Sequence, residues 1–99
     1  MDNYESLKSV FKDAYDQAAT GKGYRRHASN EPFEQQQICQ ISRWLGSADY
    51  DIGQAVKKCL EVNRLPTIDE KVSELLGAIN YIAAAIIVLK EQVKPPEAK

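Results

Sequence analysis

The residues best placed to do chemistry lie in one short segment. Lys22, Arg25 and Arg26 fall within five positions, flanked by Gly21, Gly23 and His27, with Tyr24 between them. No acidic residue occurs from Gln17 through Asn30. Glycine lets backbone N–H groups come close to a ligand, and three cations with a histidine can neutralise phosphate oxygens. Arginine offers a planar donor fork, and tyrosine or arginine can stack on a base. Ala28, Ser29 and Asn30 then lead into an expected helix start, itself an anion-binding feature. Lys22, Gly23, Tyr24, Arg25, Arg26 and His27 therefore form a candidate site for a phosphate-bearing ligand. Two other readings stay open: a basic loop that meets a protein partner, and a plain solvated loop. The segment contains neither a Walker sequence nor a dinucleotide fingerprint.

Further polar groups could support such a site. Gln36, Gln40 and Arg43 share one face of an expected helix. That face is solvated by default, or its amides contact a base edge or a partner. Trp44 is either a core anchor or an exposed stacking or interface residue. Gln54, Lys57, Lys58 and Arg64 make a second basic patch. Asn80 is the one strong amide inside an apolar helix. A buried amide needs hydrogen-bond partners, so Asn80 either fixes register between helices or lines a pocket.

Other chemistries are excluded by what is missing. One histidine, His27, with two separated cysteines makes no credible zinc site, and no metal or cofactor is expected. Cys39 and Cys59 read as buried thiols rather than nucleophiles. Glu31 and Glu34 have the E-x-x-E spacing of the helical nucleotide pyrophosphohydrolases of the MazG kind. No E-x-x-D follows, so the magnesium-holding oxygens of that reaction are absent. No enzyme activity is expected.

Positioning these groups falls to helices. The chain has 99 residues, room for one domain. Thirteen Lys and Arg against 14 Asp and Glu leave a net charge of −1, which argues against binding duplex nucleic acid through overall charge. With 43% hydrophobic and 27% charged residues, the composition is that of a folded soluble chain. Met1–Glu5 is too polar for a secretory signal, so a cytoplasmic location is expected, without a membrane.

Four helices are predicted and no strand. The first spans Asn3 to Ala19, with a stripe of Tyr4, Leu7, Val10, Phe11, Ala14, Tyr15 and Ala18. Asp2 with Glu5 would cap it and Gly21 would end it. The second spans Pro32 to Leu45 and stops at Gly46, with Phe33, Ile38, Ile41 and Leu45 inside. The third spans Asp49 to Val62, with Ile52, Ala55, Val56, Cys59 and Leu60 inside. The fourth runs from a Thr67–Glu70 capping box to about Gln92. From Leu75 to Leu89 only Gly77 and Asn80 interrupt its apolar residues. That run is 15 residues, roughly 22 Å, shorter than the ~20 residues of a membrane span. A helix apolar on all sides is a buried helix. In so short a chain part of it is expected to meet another subunit, with Gly77, Ala78, Ala83, Ala84 and Ala85 allowing close approach. The expected architecture is thus a single all-α domain over residues 1–93, oligomeric through its last helix, with a disordered tail over residues 94–99.

The run Lys22-Gly23-Tyr24-Arg25-Arg26 resembles the short K-G-Y-R element before a helical hairpin in small phage proteins that sequester cyclic nucleotides. These are the hairpin-type sponges that counter CBASS and Thoeris immunity. The likeness covers about five residues, followed by a compatible helix-turn-helix with Gly46 near its turn. The family's usual hydrophobic residue after the arginine is His27 here. The resemblance implies a short cytosolic homo-oligomer, in the host cell if phage-encoded, that binds a cyclic nucleotide signal between subunits without cleaving it. Tyr24, Arg25 and Arg26 would contact the ligand. The alternative expectation is a small inhibitor or adaptor that binds a host protein through the same basic loop.

Overall fold

A computed structural model of the chain describes residues 3–20 and 31–93. The expected cap at Asp2, the stop at Gly21 and the tail over residues 94–99 lie outside the described residues. Within them the structure is all-helical: α1 (Glu5–Thr20), α2 (Gln37–Leu45), α3 (Asp49–Glu61) and α4 (Ile68–Val93). Turns of 3₁₀ helix at Phe33–Gln35 and Val62–Arg64 complete it.

The helix ends follow local chemistry. The second helix starts later than predicted, because Gln36 takes an extended backbone (ψ 166°) and separates the 3₁₀ turn from α2. The Gln36 side chain holds that break by donating to the Glu31 carbonyl at 2.9 Å. At the other end Gly46 is left-handed (φ 73°), as a helix stop requires. The Ser47 N–H reaches back to the Ser42 carbonyl at 3.1 Å, closing the six-residue turn. The Ser47 hydroxyl then accepts from the Asp49 N–H at 2.9 Å and starts α3. Thr67 caps α4 by accepting from the Glu70 N–H at 3.1 Å. The Glu70 carboxylate accepts the Thr67 hydroxyl proton at 3.0 Å instead of reaching the Thr67 main chain.

Helix α4 is the spine, and α1, α2 and α3 all dock on it. Ile38, Cys39, Ala55, Ala78, Tyr81, Ala84 and Val88 form the core, with Phe33, Tyr50 and Ile87 packed against it. Four of those seven core residues bear no side chain larger than Ala or Cys, which brings the backbones close. Gly77 lies under the Lys58 stem: a Cβ there would sit 3.1 Å from Lys58 Cε. Lys58 Nζ then rests 5.8 Å above the Tyr81 ring and 3.7 Å from Glu74. At the far end Arg43 grips Glu91 with two hydrogen bonds of 2.8 and 2.7 Å. That pair is partly solvated, so Arg43→Ala is expected to cost only about 0.5–1 kcal/mol in urea unfolding.

Several predicted inner faces are outward. On α1 only Ala14 is buried; Tyr4, Leu7, Val10, Phe11 and Tyr15 are exposed. On α3 the helix is rotated so that Ala55 and Asp51 face in, while Ile52, Val56, Cys59 and Leu60 face out. Helix α4 is buried on one side and not all round. Its buried residues are Gly77, Ala78, Tyr81, Ala84, Ala85 and Val88. Three short helices cannot cover a 26-residue apolar rod. By length and composition alone α4 could also cross a bilayer, with 33% of its most apolar stretch buried in the fold.

Candidate functional site

Two glutamine- and asparagine-mediated contacts set α1 against α4. The Gln17 amide donates to the Ser73 carbonyl at 3.0 Å, and the Asn80 amide donates to the Ala14 carbonyl at 3.0 Å. The helices therefore run in opposite directions, held by polar ties and small residues rather than by a thick apolar seam. Of the two roles expected for Asn80, it fills both: it fixes the register of α1 on α4, and it lines a hollow between them.

That hollow is a groove of about 850 Å³, within the range of small-ligand sites. Phe11 and Tyr15 form one wall, Ile82 and Ile86 the other, and Phe33 and Gln36 one end. Its lining is overwhelmingly apolar, and no lysine or arginine of the described residues lines it. The two amides give it direction. A carbonyl oxygen only accepts, so the NH₂ of Asn80 must face Ala14 and that of Gln36 must face Glu31. Each amide oxygen is left on the opposite side, and neither accepts a hydrogen bond from the described residues. Gln36 and Asn80, each with an amide oxygen to spare, thus stand among the aromatic and branched side chains of the lining.

The basic segment that carries the strongest chemical signal lies outside the described residues: Lys22, Gly23, Tyr24, Arg25, Arg26 and His27, with residues 28–30 after them. The described residues on either side of it are informative, since Ala19 and Glu31 both line the groove. The other candidates separate. Gln36 is buried and belongs to the groove; Gln40 instead accepts from Arg43 at 3.1 Å. Trp44 is 74% exposed, which removes the core-anchor reading. Lys57 and Arg64 come together on a shallow hollow beside Val56 and Leu60, away from the groove. Lys58 leaves that patch for Glu74 and Tyr81. The sequence reading did not assign Phe11, Tyr15, Ile82 or Ile86 to a site. Their only signal was periodicity, which a packed core shares.

No family model, no curated protein and no solved structure matches this chain. The chemistry of its own residues carries the functional reading.

No group of three or more His, Cys, Asp and Glu residues that could hold a metal ion exists among the described residues. The two thiols differ sharply. Cys39 is fully buried, and burial, aided by the nearby Asp51 carboxyl, pushes its thiol up to about 11. Cys59, expected inside, is exposed because α3 turns that edge outward. A disulfide reagent at pH 8 is expected to modify Cys59 readily and Cys39 only on unfolding. At that pH only about a thousandth of Cys39 is thiolate, and the reagent cannot reach it. Two equally fast thiols in the native protein would contradict this packing.

Proposed function

We propose that this protein is a non-catalytic binder that sequesters a phosphate-bearing small molecule, most concretely a cyclic nucleotide immune signal. In this reading it is a phage-type anti-defence sponge working as a homo-oligomer in the host cytoplasm. The observation that carries the reading is the apolar groove with two free amide oxygens, bounded by Ala19 and Glu31 on either side of the cationic segment. A nucleotide has the matching halves. Its flat base can stack on aromatic walls, and a base N–H can donate to Gln36 or Asn80. Its phosphates need cations, which the groove lacks and which Lys22, Arg25 and Arg26 supply, with Tyr24 stacking and His27 adding a donor. In this reading the ligand is captured without turnover.

A thermal-shift screen with cyclic di- and trinucleotides and cyclic ADP-ribose isomers tests it. A ligand at a hundred times its dissociation constant stabilises the native state by about 2.7 kcal/mol. The double variant Arg25→Ala with Arg26→Ala should abolish the shift. The ligand should be recovered intact after incubation.

One observation favours a second reading. Trp44 and Leu45 stand exposed side by side at the end of α2, as an interface anchor would. No shift with any nucleotide, together with a host protein retained by the wild type and lost by Trp44→Ala, would make the chain an adaptor or inhibitor.

A further inference from the structure

The outward side of α4 is ordered. Its uncovered residues recur at alternating steps of four and three along the whole helix. One set is Ile68, Leu75, Ile82 and Leu89; the other is Val72, Ile79, Ile86 and Val93. Seven of the eight are exposed and Ile79 is half-buried, so the described residues leave most of this line open, α1 bordering it only at the groove. A strict three-four repeat is the seam of a coiled coil, a narrower feature than the broad face by which a helix packs on a globular core. Here the fold already uses a different side of α4, the one with Ala78, Ala84, Ala85 and Val88. The helix has two apolar faces, and the intramolecular core consumes one.

We infer that the second face is covered by the same face of another copy of this chain, with the two α4 helices antiparallel. The spacing is self-complementary in that orientation. Ile68 would meet the partner's Val93, Val72 the partner's Leu89, Leu75 the partner's Ile86, and Ile79 the partner's Ile82. All eight positions of the 26-residue helix, about 39 Å long, are used with no overhang. Small, half-buried Ala83 on one flank leaves room for the partner backbone.

Charge selects the direction. Next to the seam on the same flank stand Asp69 in the first turn and Lys90 in the last. Both are exposed, and neither makes an ion pair with a described residue. Antiparallel pairing brings each Asp69 beside the partner's Lys90, at both ends at once. Parallel pairing leaves them 21 positions apart along the helix, roughly 31 Å. The antiparallel arrangement also sets each helix N-terminus beside a C-terminus, where their dipoles attract.

Because Ile79, Ile82 and Ile86 also line the groove, the partner helix would roof its open side.

Light scattering on the full chain without nucleotide tests this pairing separately from ligand capture. The expected mass is twice 11.1 kDa or an even multiple of it. Ile82→Glu, at the middle of the seam, should raise the dissociation constant at least a hundredfold. Two charge variants need no core change. Asp69→Lys and Lys90→Asp should each weaken association about tenfold, and the double exchange should return it to within about twofold of wild type. An 11.1 kDa species at tens of micromolar overturns the pairing, as does recovery of the chain only in detergent. A dimer indifferent to all three charge variants overturns the antiparallel register. Loss of nucleotide binding in Arg25→Ala with Arg26→Ala leaves every one of these masses unchanged.

Discussion

Replacing Tyr81 with alanine is expected to cost about 3–5 kcal/mol, the range for removing a buried aromatic ring. Among the described residues Tyr81 is the only buried aromatic side chain, in a core otherwise made of alanines, a cysteine, an isoleucine and a valine. Its ring meets Tyr50 edge-on, with centroids 6.4 Å apart and planes at 77°. Its face carries the Lys58 ammonium, and the Lys58 stem lies on Gly77. Deleting the ring therefore removes the element that joins α3 to α4. Neighbouring alanines have no rotamers with which to fill the space. A small domain has only about 5–15 kcal/mol of stability, so the loss takes about a fifth of it or more. Denaturant unfolding by circular dichroism measures the effect. Tyr81→Phe keeps the ring and should lose far less than Tyr81→Ala. A Tyr81→Ala midpoint within 1 kcal/mol of wild type would mean that this ring is not the centre of the core.

Much of that core was legible in the amino-acid sequence, and the reasons differ by element. The four helices were readable because their punctuation is local. Gly46 and the Thr67–Glu70 cap act within one turn of chain, and each does so in the structure, whereas Pro32 precedes a 3₁₀ turn and α2 begins only at Gln37. Asn80 was readable as a helix tie because an amide in an apolar helix must find a partner. Which face turns inward was not readable for α1 and α3. Periodicity shows that a helix has an apolar stripe, not what covers it. Among the described residues, the α1 stripe of Leu7, Phe11 and Tyr15 stays exposed, and so does the α3 stripe of Ile52, Val56 and Leu60. A subunit interface and a core write the same pattern. The α4 run from Leu75 to Leu89 hid its two faces for a related reason: alanines on one side and branched residues on the other are all apolar. The groove could not be read at all, because its two oxygens matter only through carbonyls contributed by Ala14 and Glu31. The basic segment was the clearest chemical signal, and its meaning rests on binding experiments.

The one buried carboxyl among the described residues gives a second large effect. Asp51, in the first turn of α3, is fully buried. One carboxyl oxygen accepts from the Ser42 hydroxyl at 2.8 Å; the other is buried and accepts nothing. Burial raises the Asp51 pKa, and the Ser42 hydrogen bond opposes that rise without overcoming it. Its place in the first turn of α3, which favours a negative charge, does not reverse the direction either. The folded chain therefore keeps this proton at pH values where the unfolded chain has released it. The resulting stability is fully present below the ordinary aspartate pKa of about 3.9 and is lost as pH rises through the higher native value. Within that window the loss is up to about 1.4 kcal/mol per pH unit, and above it the contribution is level. Asp51→Asn keeps an acceptor for Ser42 and cannot ionise. Its stability relative to wild type should therefore climb with pH across the window and then flatten. Other carboxylates cancel in that difference, since both chains carry them. Stability curves of the two proteins that run parallel from pH 4 to pH 8 would mean that the folded state does not hold the Asp51 proton, and that water or a cation has reached its second oxygen.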